Sequence, residues 1–200
     1  MTIIGNADAN TLIGTGGSDT VVAYGGNDTV NGQGGADHLF GGTGDDSLFG
    51  GSGDDIMSGG EGNDRLSGGA GNDVLAGGAG NDILAGGDGT DVLIGGTGRD
   101  VMTGGEGRDT FLYMSASDSG AGVGQRDVIT DFQAGVDKIG LSALNLNAAD
   151  IDLSAWYGGT SLTNSYAQLL RISTHHDGVY DMEIQLNATH GAVTMFDLYF

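Results

Sequence analysis

The chain has no cysteine and no proline, and it carries only 6 lysine or arginine residues against 27 aspartate or glutamate residues. The absence of cysteine excludes disulfides, thiol catalysis and thiolate metal sites. The formal net charge of −21 disfavours nucleic acid and anionic membrane surfaces as direct partners. No stretch of about 18 apolar residues occurs, so neither a transmembrane helix nor direct membrane insertion is expected. The first residues also lack the basic and apolar regions of a Sec-type signal peptide.

Glycine and aspartate are abundant and unevenly distributed. Of the 42 glycines, 33 lie within residues 5–112, together with 15 of the 24 aspartates (27 acidic residues less three glutamates). A serine- and glycine-rich stretch at 115–124 has the composition of a flexible connection. We therefore predict a glycine-rich domain (1–112), a linker (113–126) and a second, less glycine-rich region (127–200).

The glycine-rich domain is a nine-residue repeat. Placing the recurring aspartate at position six gives twelve units without a gap, from Gly5 to Leu112, of which the first has Asn10 at that position. A representative unit, residues 77–85, reads GGAGNDILA. Eight consecutive units, beginning at Gly41, keep the pattern G-G-x-G-x-D intact, and the earlier units depart from it. A disordered linker would need no fixed phase, so this regularity disfavours disorder.

Position eight of the repeat is large and apolar in every unit. The twelve residues are Leu12, Val21, Val30, Leu39, Leu48, Met57, Leu66, Leu75, Leu84, Leu93, Met102 and Phe111. In a strand formed by positions seven to nine, this middle side chain points to one face. We therefore predict that position eight forms the core.

The two parts of each unit predict different backbone conformations. Positions one to six are of the glycine, asparagine and aspartate type that forms turns, and positions seven to nine form a short strand. Two units then make one flattened coil, and twelve units make six coils. Parallel strands stack about 4.8 Å apart, so the coils extend over roughly 29 Å.

The aspartates at position six fall into two columns, because odd and even units lie on opposite edges of the coil. One column contains Asp19, Asp37, Asp55, Asp73, Asp91 and Asp109, and the other contains Asp28, Asp46, Asp64, Asp82 and Asp100. Two carboxylates about 5 Å apart repel by roughly 3 kcal/mol at an effective dielectric near 20. Such columns require cations between their members, and sites made only of carboxylate and carbonyl oxygens suit Ca²⁺ better than Mg²⁺.

The unbroken units resemble the RTX (repeats-in-toxin) calcium-binding nonapeptide, G-G-x-G-x-D-x-U-x, in which U is a large apolar residue. The resemblance implies an all-β protein with a right-handed parallel β-roll (an RTX solenoid) of six coils, followed by a β-rich C-terminal cap. It also implies several calcium ions, each bound between two turns that lie one coil apart on the same edge. The earlier turn would supply the carbonyls of positions two and four and its aspartate, and the later turn those of positions one and three and its aspartate.

The ligands implied by this resemblance lie at positions one to four and six of the units. One site would combine Gly69, Gly71 and Asp73 with Gly86, the carbonyl of Asp88 and Asp91. The full set is Asp28, Asp37, Gly42, Gly44, Asp46, Gly51, Gly53, Asp55, Gly59, Gly60, Glu61, Gly62, Asp64, Gly68, Gly69, Ala70, Gly71, Asp73, Gly77, Gly78, Ala79, Gly80, Asp82, Gly86, Gly87, Asp88, Gly89, Asp91, Gly95, Gly96, Thr97, Gly98, Asp100, Gly104, Glu106 and Asp109.

The C-terminal region is similar to the segment that follows the β-roll in serralysin-type proteases and related exoproteins, on the basis of residues 127–139, DVITDFQAGVDKI. Alternation of polar and apolar residues predicts a strand over 180–186, and another is expected within 193–200. The ending MFDLYF resembles the uncleaved signal of type I secretion. The resemblance implies a bacterial protein that is secreted through a type I apparatus, folds on calcium outside the cell, and is extracellular or bound at the cell surface.

The sequence contains neither an H-E-x-x-H nor a G-x-S-x-G motif, and His175 and His176 are interpreted as part of a polar turn. We therefore predict no enzymatic activity. Because the repeats begin at residue 5, no catalytic domain is expected before them. An apolar stripe on one outer wall, which includes Ile56, Val74 and Val92, requires cover from the C-terminal region or from another subunit.

Three roles remain open for a module of this kind. The first is a structural protein that self-assembles in calcium into a filament, a surface layer or a matrix. The second is a monomeric module that binds carbohydrate, such as a surface polysaccharide, or another cell-surface component. The third is the secretion and folding domain of a larger exoenzyme.

Overall fold

The computed structural model describes residues 1–120, 124–144, 146, 151–157, 166–172, 180, 182–188, 194 and 197–199. Within these residues there is no α-helix, and the regular structure consists of strands and two short 3₁₀ helices. The all-β class predicted from the repeats is confirmed.

The strands follow the nine-residue period of the sequence closely. In chain order they are β1 (Thr2–Asn6), β2 (Thr11–Ile13), β3 (Thr20–Gly25), β4 (Thr29–Gly34), β5 (His38–Thr43), β6 (Ser47–Ser52), β7 (Ile56–Glu61), β8 (Arg65–Ala70), β9 (Val74–Ala79), β10 (Ile83–Gly89), β11 (Val92–Thr97), β12 (Val101–Gly107), β13 (Thr110–Leu112), β14 (Asp127–Ile129), β15 (Lys138–Gly140), β16 (Ile151–Tyr157), β17 (Tyr166–Ile172), β18 (Met182–Ala188) and β19 (Leu198–Tyr199). The 3₁₀ helices are Ala116–Asp118 and Ser142–Leu144.

Successive strands alternate between two sheets. The first sheet has the order β1-β3-β5-β7-β9-β11-β13-β15-β19, and the second has the order β2-β4-β6-β8-β10-β12-β14-β18-β17-β16. Within the repeats every pair is parallel with an offset of two repeat units, as where Leu39 lies opposite Met57. Two strands and two turns therefore form one coil, and the predicted parallel β-roll of about six coils is confirmed.

The core of the roll is the stack of position-eight side chains between the two sheets. From Val21 to Phe111 each of these residues is at most 1% exposed, whereas Leu12 in the first coil is partly buried against the same core. Ile129 and Ile139 continue the stack beyond the repeats and are fully buried. The prediction that position eight forms the core is confirmed.

The strands are longer than the sequence predicted. β5 covers positions seven to nine of one unit and also the first three positions of the next, so that Gly42 pairs with Gly60 and Thr43 with Glu61. Only three residues separate β5 from β6, and the expected six-residue turn is therefore wrong. The physical reason is that Gly42 has a φ of 119°, which lets the chain bend while it still pairs with the next coil.

Both sheets continue into the C-terminal region. β14 pairs with β12 and β15 with β13, each in parallel. β18 pairs in parallel with β14, and the remaining pairs β17–β18 and β16–β17 are antiparallel. β18 occupies Met182–Ala188, where alternation predicted a strand over 180–186. The division into a roll, a linker and a cap stays a prediction.

Large apolar residues remain on the outer faces of both sheets. On the first sheet Phe40 is 37% and Ile56 43% exposed, whereas Val74 and Val92 are half-buried by their neighbours. On the second sheet Phe49 and Ile83 are exposed to a similar extent. No helix in the described part of the chain is both long and apolar enough to cross a bilayer.

Candidate calcium sites along the roll edges

The position-six aspartates form one hydrogen-bonded column along each edge of the roll. The backbone N–H of each aspartate donates to Oδ1 of the aspartate in the next coil, with N–O distances between 2.7 and 3.1 Å. The Asp46 amide, for example, donates to Asp64 Oδ1 at 2.8 Å. These bonds fix the carboxylates in register and leave one oxygen of each for another partner.

That second oxygen, Oδ2, is buried and without a hydrogen bond in eleven aspartates. They are Asp28, Asp37, Asp46, Asp55, Asp64, Asp73, Asp82, Asp91, Asp100, Asp109 and Asp127. Each of these residues is at most 2% exposed. A buried carboxylate oxygen without a partner is costly, and a whole row of them needs protons or cations.

From Asp37 to Asp109, a glycine at position one of the same unit faces each of these oxygens, whereas the Asp28 unit has Ala23 there. A methyl group built on Gly68 would contact Asp73 Oδ2 and would lie 2.7 Å from the carbonyl oxygen of Gly86 in the next coil. The same arrangement recurs one unit later, where Gly77 faces Asp82 Oδ2 and lies near the Gly95 carbonyl. We call the space beside each position-one glycine a cradle. Each of these two cradles is lined by a carboxylate oxygen and a main-chain carbonyl oxygen, which are ligands that Ca²⁺ prefers.

The cradles do not depend on clusters of acidic side chains. Across the residues whose structure is described, no three histidine, aspartate or glutamate side chains converge on one metal-sized site. Calcium takes six to eight oxygen ligands, so main-chain carbonyls must supply a large part of each coordination shell. Glycine at positions one, two and four of the unbroken units fits this requirement, because it lets the backbone approach an ion closely.

Burial raises the pKa of the column carboxyls. The pKa of Asp46, Asp64, Asp73, Asp82 and Asp109 is raised to about 6, and that of Asp100 to about 7. Desolvation is the main cause, and neighbouring column aspartates add like-charge repulsion, as Asp64 and Asp28 do for Asp46. Without a bound cation, the column therefore holds its negative charge unfavourably at neutral pH.

The first aspartate of the column differs from the others. Asp19 Oδ1 accepts a hydrogen bond from the Met1 ammonium at 2.5 Å, and its Oδ2 accepts from the Thr15 amide and hydroxyl at 2.6 and 2.8 Å. These donors lower the pKa of Asp19, the Met1 ammonium most. Both oxygens are already satisfied, so this turn offers a poorer cation site than those that follow.

We expect the substitution Gly68→Ala to destabilise the calcium-loaded protein by about 1–3 kcal/mol, because the new methyl group fills a cradle. Gly17→Ala is the matched control, since a methyl group there would meet nothing within 4 Å. Urea denaturation in saturating calcium measures both free energies of unfolding. Equal stability of the two variants would contradict a tight cradle at Gly68.

The nonapeptide repeats are also found by comparison with known families. The RTX calcium-binding nonapeptide repeat model matches four overlapping segments, residues 4–39, 31–66, 58–93 and 86–119, which together span more than half of the chain. The chain belongs to the RTX calcium-binding nonapeptide repeat family. Its repeats are therefore calcium-binding repeats, in agreement with the cradle geometry.

Two solved structures from Azotobacter vinelandii mannuronan C5-epimerase are similar to this RTX chain. The AlgE6R2 subunit is 29% identical with a TM-score of 0.46, over 82% of this chain and 88% of that subunit. The AlgE6R3 subunit is 24% identical with a TM-score of 0.37, over 98% of this chain and 80% of that subunit. No curated protein sequence matches the chain.

The structure brings the predicted aspartates and the position-one glycines together along the two edges. From Asp28 and Asp37 onward the predicted aspartates occupy the columns, and from Asp37 onward the glycines at position one face them. Which carbonyls bind each ion stays a prediction. The sequence analysis missed Asp127 and Asp137, which continue the columns because they accept the amides of Asp100 and Asp109. The sequence did contain a signal for these positions. Each aspartate is followed two residues later by a buried isoleucine, as position eight follows position six in the repeats, although the repeat glycines before it are lost.

A second polar ladder, at position five, follows each column on the solvent side. The Asn63 amide and side chain donate to Asp45 Oδ1, and the Asn81 amide and side chain donate to Asn63. Asp54 accepts in the same way from Asn72. These exposed carboxylates are satisfied by protein donors, so they differ in kind from the buried column. His175 and His176, interpreted above as part of a polar turn, lie outside the described residues.

Proposed function

We propose that this RTX chain is a non-catalytic, secreted module that folds when calcium fills the two edges of its roll. The observation that supports the proposal best is the row of eleven buried aspartate oxygens without partners. Before calcium binds, folding has to bury these charges without compensation. Afterwards, each ion contributes binding free energy that only the folded state can gain.

The dependence of folding on calcium also supports export in an unfolded state. Sites of the extracellular class have dissociation constants of about 10⁻⁴–10⁻³ M, so cytosolic calcium would leave them empty. The chain would remain extended during transport through a type I apparatus and would fold outside the cell. The resemblance of the residues at 195–200 to a type I signal is consistent with this route.

A structural, self-associating role is the form of this function that the surface favours. Ile56 and Ile83 are 43% and 45% exposed on opposite outer faces of the roll. Contiguous exposed apolar surface on a folded protein favours protein–protein contact. Calcium would then control assembly indirectly, because the faces exist only in the folded roll.

Size-exclusion chromatography with light scattering, across a calcium titration at neutral pH, tests both parts of the proposal. We expect an extended chain in calcium-free buffer, contraction to a compact particle, and growth in mass at millimolar calcium. A compact particle without calcium would contradict calcium-coupled folding. Contraction to a 20.0 kDa monomer that never grows would contradict self-association and leave a monomeric surface-binding module or an exoenzyme's folding domain.

Ile56→Ser with Ile83→Ser is the matched test of the outer faces. Both side chains point away from the core, so the variant should contract at the same calcium concentration as the wild type. We expect it to remain smaller than the wild type at millimolar calcium. Growth identical to that of the wild type would show that these faces do not mediate assembly.

A further inference from the structure

The aspartate column on one edge continues past the last nonapeptide. The Asp100 amide donates to Asp127 Oδ1 at 2.8 Å, in the same way as within the repeats, although the connecting chain is longer by one repeat unit. Asp127 is fully buried and its Oδ2 has no hydrogen bond. The family match ends at residue 119, so this turn lies outside the recognised repeats.

The corresponding turn on the other edge is closed by the protein itself. Asp137 Oδ1 accepts a hydrogen bond from the backbone N–H of Asp109 at 3.1 Å. Its Oδ2 accepts one from the backbone N–H of Gln133 at 2.7 Å. The Gln133 side chain also donates to the Gly105 carbonyl oxygen at 3.2 Å. A carboxylate oxygen and a carbonyl that could face an ion are thus both occupied by Gln133.

The surroundings of Asp127 contain unsatisfied oxygens and no neutralising cation among the described residues. The hydroxyl of Tyr113, a residue only 1% exposed, lies beside the Asp127 carboxylate without a well-formed hydrogen bond. Asp118 is buried nearby and adds negative charge. Arg126 is adjacent in sequence, but its guanidinium is directed to Glu183, at 3.8 Å.

The two turns that end the columns differ in how the second carboxylate oxygen is satisfied. Asp127 Oδ2 is buried and has no hydrogen bond. Asp137 Oδ2 accepts the backbone N–H of Gln133. The two columns therefore end differently. The Asp100–Asp127 pair keeps carboxylate oxygens without hydrogen bonds, whereas the last carboxylate of the other column, Asp137, has both oxygens hydrogen-bonded.

We propose that one further Ca²⁺ binds between Asp100 and Asp127, beyond the nonapeptide repeats, with the Tyr113 hydroxyl as a neutral oxygen ligand. The Asp109–Asp137 turn on the opposite edge binds no calcium, because Gln133 already donates hydrogen bonds to the Asp137 and Gly105 oxygens that could bind an ion. The proposal rests on the calcium-dependent folding proposed above. It links the repeats to the C-terminal strands, since β14 begins at Asp127.

The ion count of two isosteric variants tests this assignment. Asp127→Asn and Asp137→Asn each keep an Oδ1 that accepts the amide of the preceding coil. Native mass spectrometry of the full, calcium-loaded chain should find one calcium fewer in Asp127→Asn than in the wild type, and an unchanged count in Asp137→Asn. A wild-type count in Asp127→Asn, or an equal loss in both variants, would overturn the proposal. If the wild type binds no calcium, the proposed function itself is wrong.

Terbium luminescence provides a second measurement that does not need an Asp127 variant. Tb³⁺ binds calcium sites and emits when a nearby tyrosine is excited. With the full chain folded by Tb³⁺, Tyr113→Phe should remove a large share of the tyrosine-excited emission. Tyr180→Phe, a change at a half-exposed ring that packs against Arg171, should leave it unchanged. Equal emission from the wild type and Tyr113→Phe would place no ion beside the Tyr113 hydroxyl.

Discussion

Lowering the pH should fold the calcium-free protein. The pKa of five column aspartates is about 6 in the folded roll, against about 3.9 in an unfolded chain. A carboxyl whose pKa is raised on folding contributes stability below its unfolded pKa, and this contribution is lost as the pH rises through the folded pKa. We therefore expect the metal-free roll to gain stability from pH 8 towards pH 5, as protons neutralise the columns.

Thermal unfolding followed by circular dichroism, in buffers stripped of divalent ions rather than treated with a pH-dependent chelator, measures this effect. Saturating calcium is the control, and there the trend should reverse, because protons compete with calcium for the same oxygens. Light scattering at each pH separates folding from aggregation. A metal-free protein that is more stable at pH 8 than at pH 5 would contradict the role assigned to the columns.

Replacing Asp46 by asparagine should have opposite effects with and without calcium. In calcium, the loss of a ligand charge should raise the calcium concentration at the folding midpoint by at least about tenfold, which corresponds to about 1.4 kcal/mol. Without calcium, burial raises the pKa of the Asp46 carboxyl to about 6, so its ionised form is unfavourable in the folded roll at neutral pH. Asparagine removes this buried charge, and the metal-free roll should therefore become more stable.

The adjacent Asp45 offers a control of equal charge. Its carboxylate is exposed and accepts hydrogen bonds from the Asn63 amide and side chain, and these lower its pKa. Asp45→Asn should therefore leave the calcium midpoint nearly unchanged and should not stabilise the metal-free state. Calcium titrations of both variants by circular dichroism decide the matter. Identical midpoints would show that bulk negative charge, rather than position in the column, controls folding.

The contrast between Asp45 and Asp46 shows how far sequence can assign roles within one turn. The period places Asp46 at position six and Asp45 at position five, which predicts their separate columns. It does not predict that Asp45 is satisfied by a ladder of side-chain hydrogen bonds. That ladder depends on which residue lies at position five one coil later, here Asn63, and on parallel pairing that brings the two together.

The sequence by itself determined the repeat, its phase, the buried position eight and the two acidic columns. These follow from local rules, because glycine permits the bends, alternation directs one side chain inward, and two repeat units return the chain to the same edge. Only the tertiary structure decided how far the strands extend and how the columns end. The C-terminal turns have lost the glycines, and their place in the columns is set by long-range pairing of β14 with β12 and of β15 with β13. The difference between Asp127 and Asp137 arises there, because the Gln133 backbone N–H donates to the Asp137 carboxylate, whereas Asp127 Oδ2 has no such hydrogen bond.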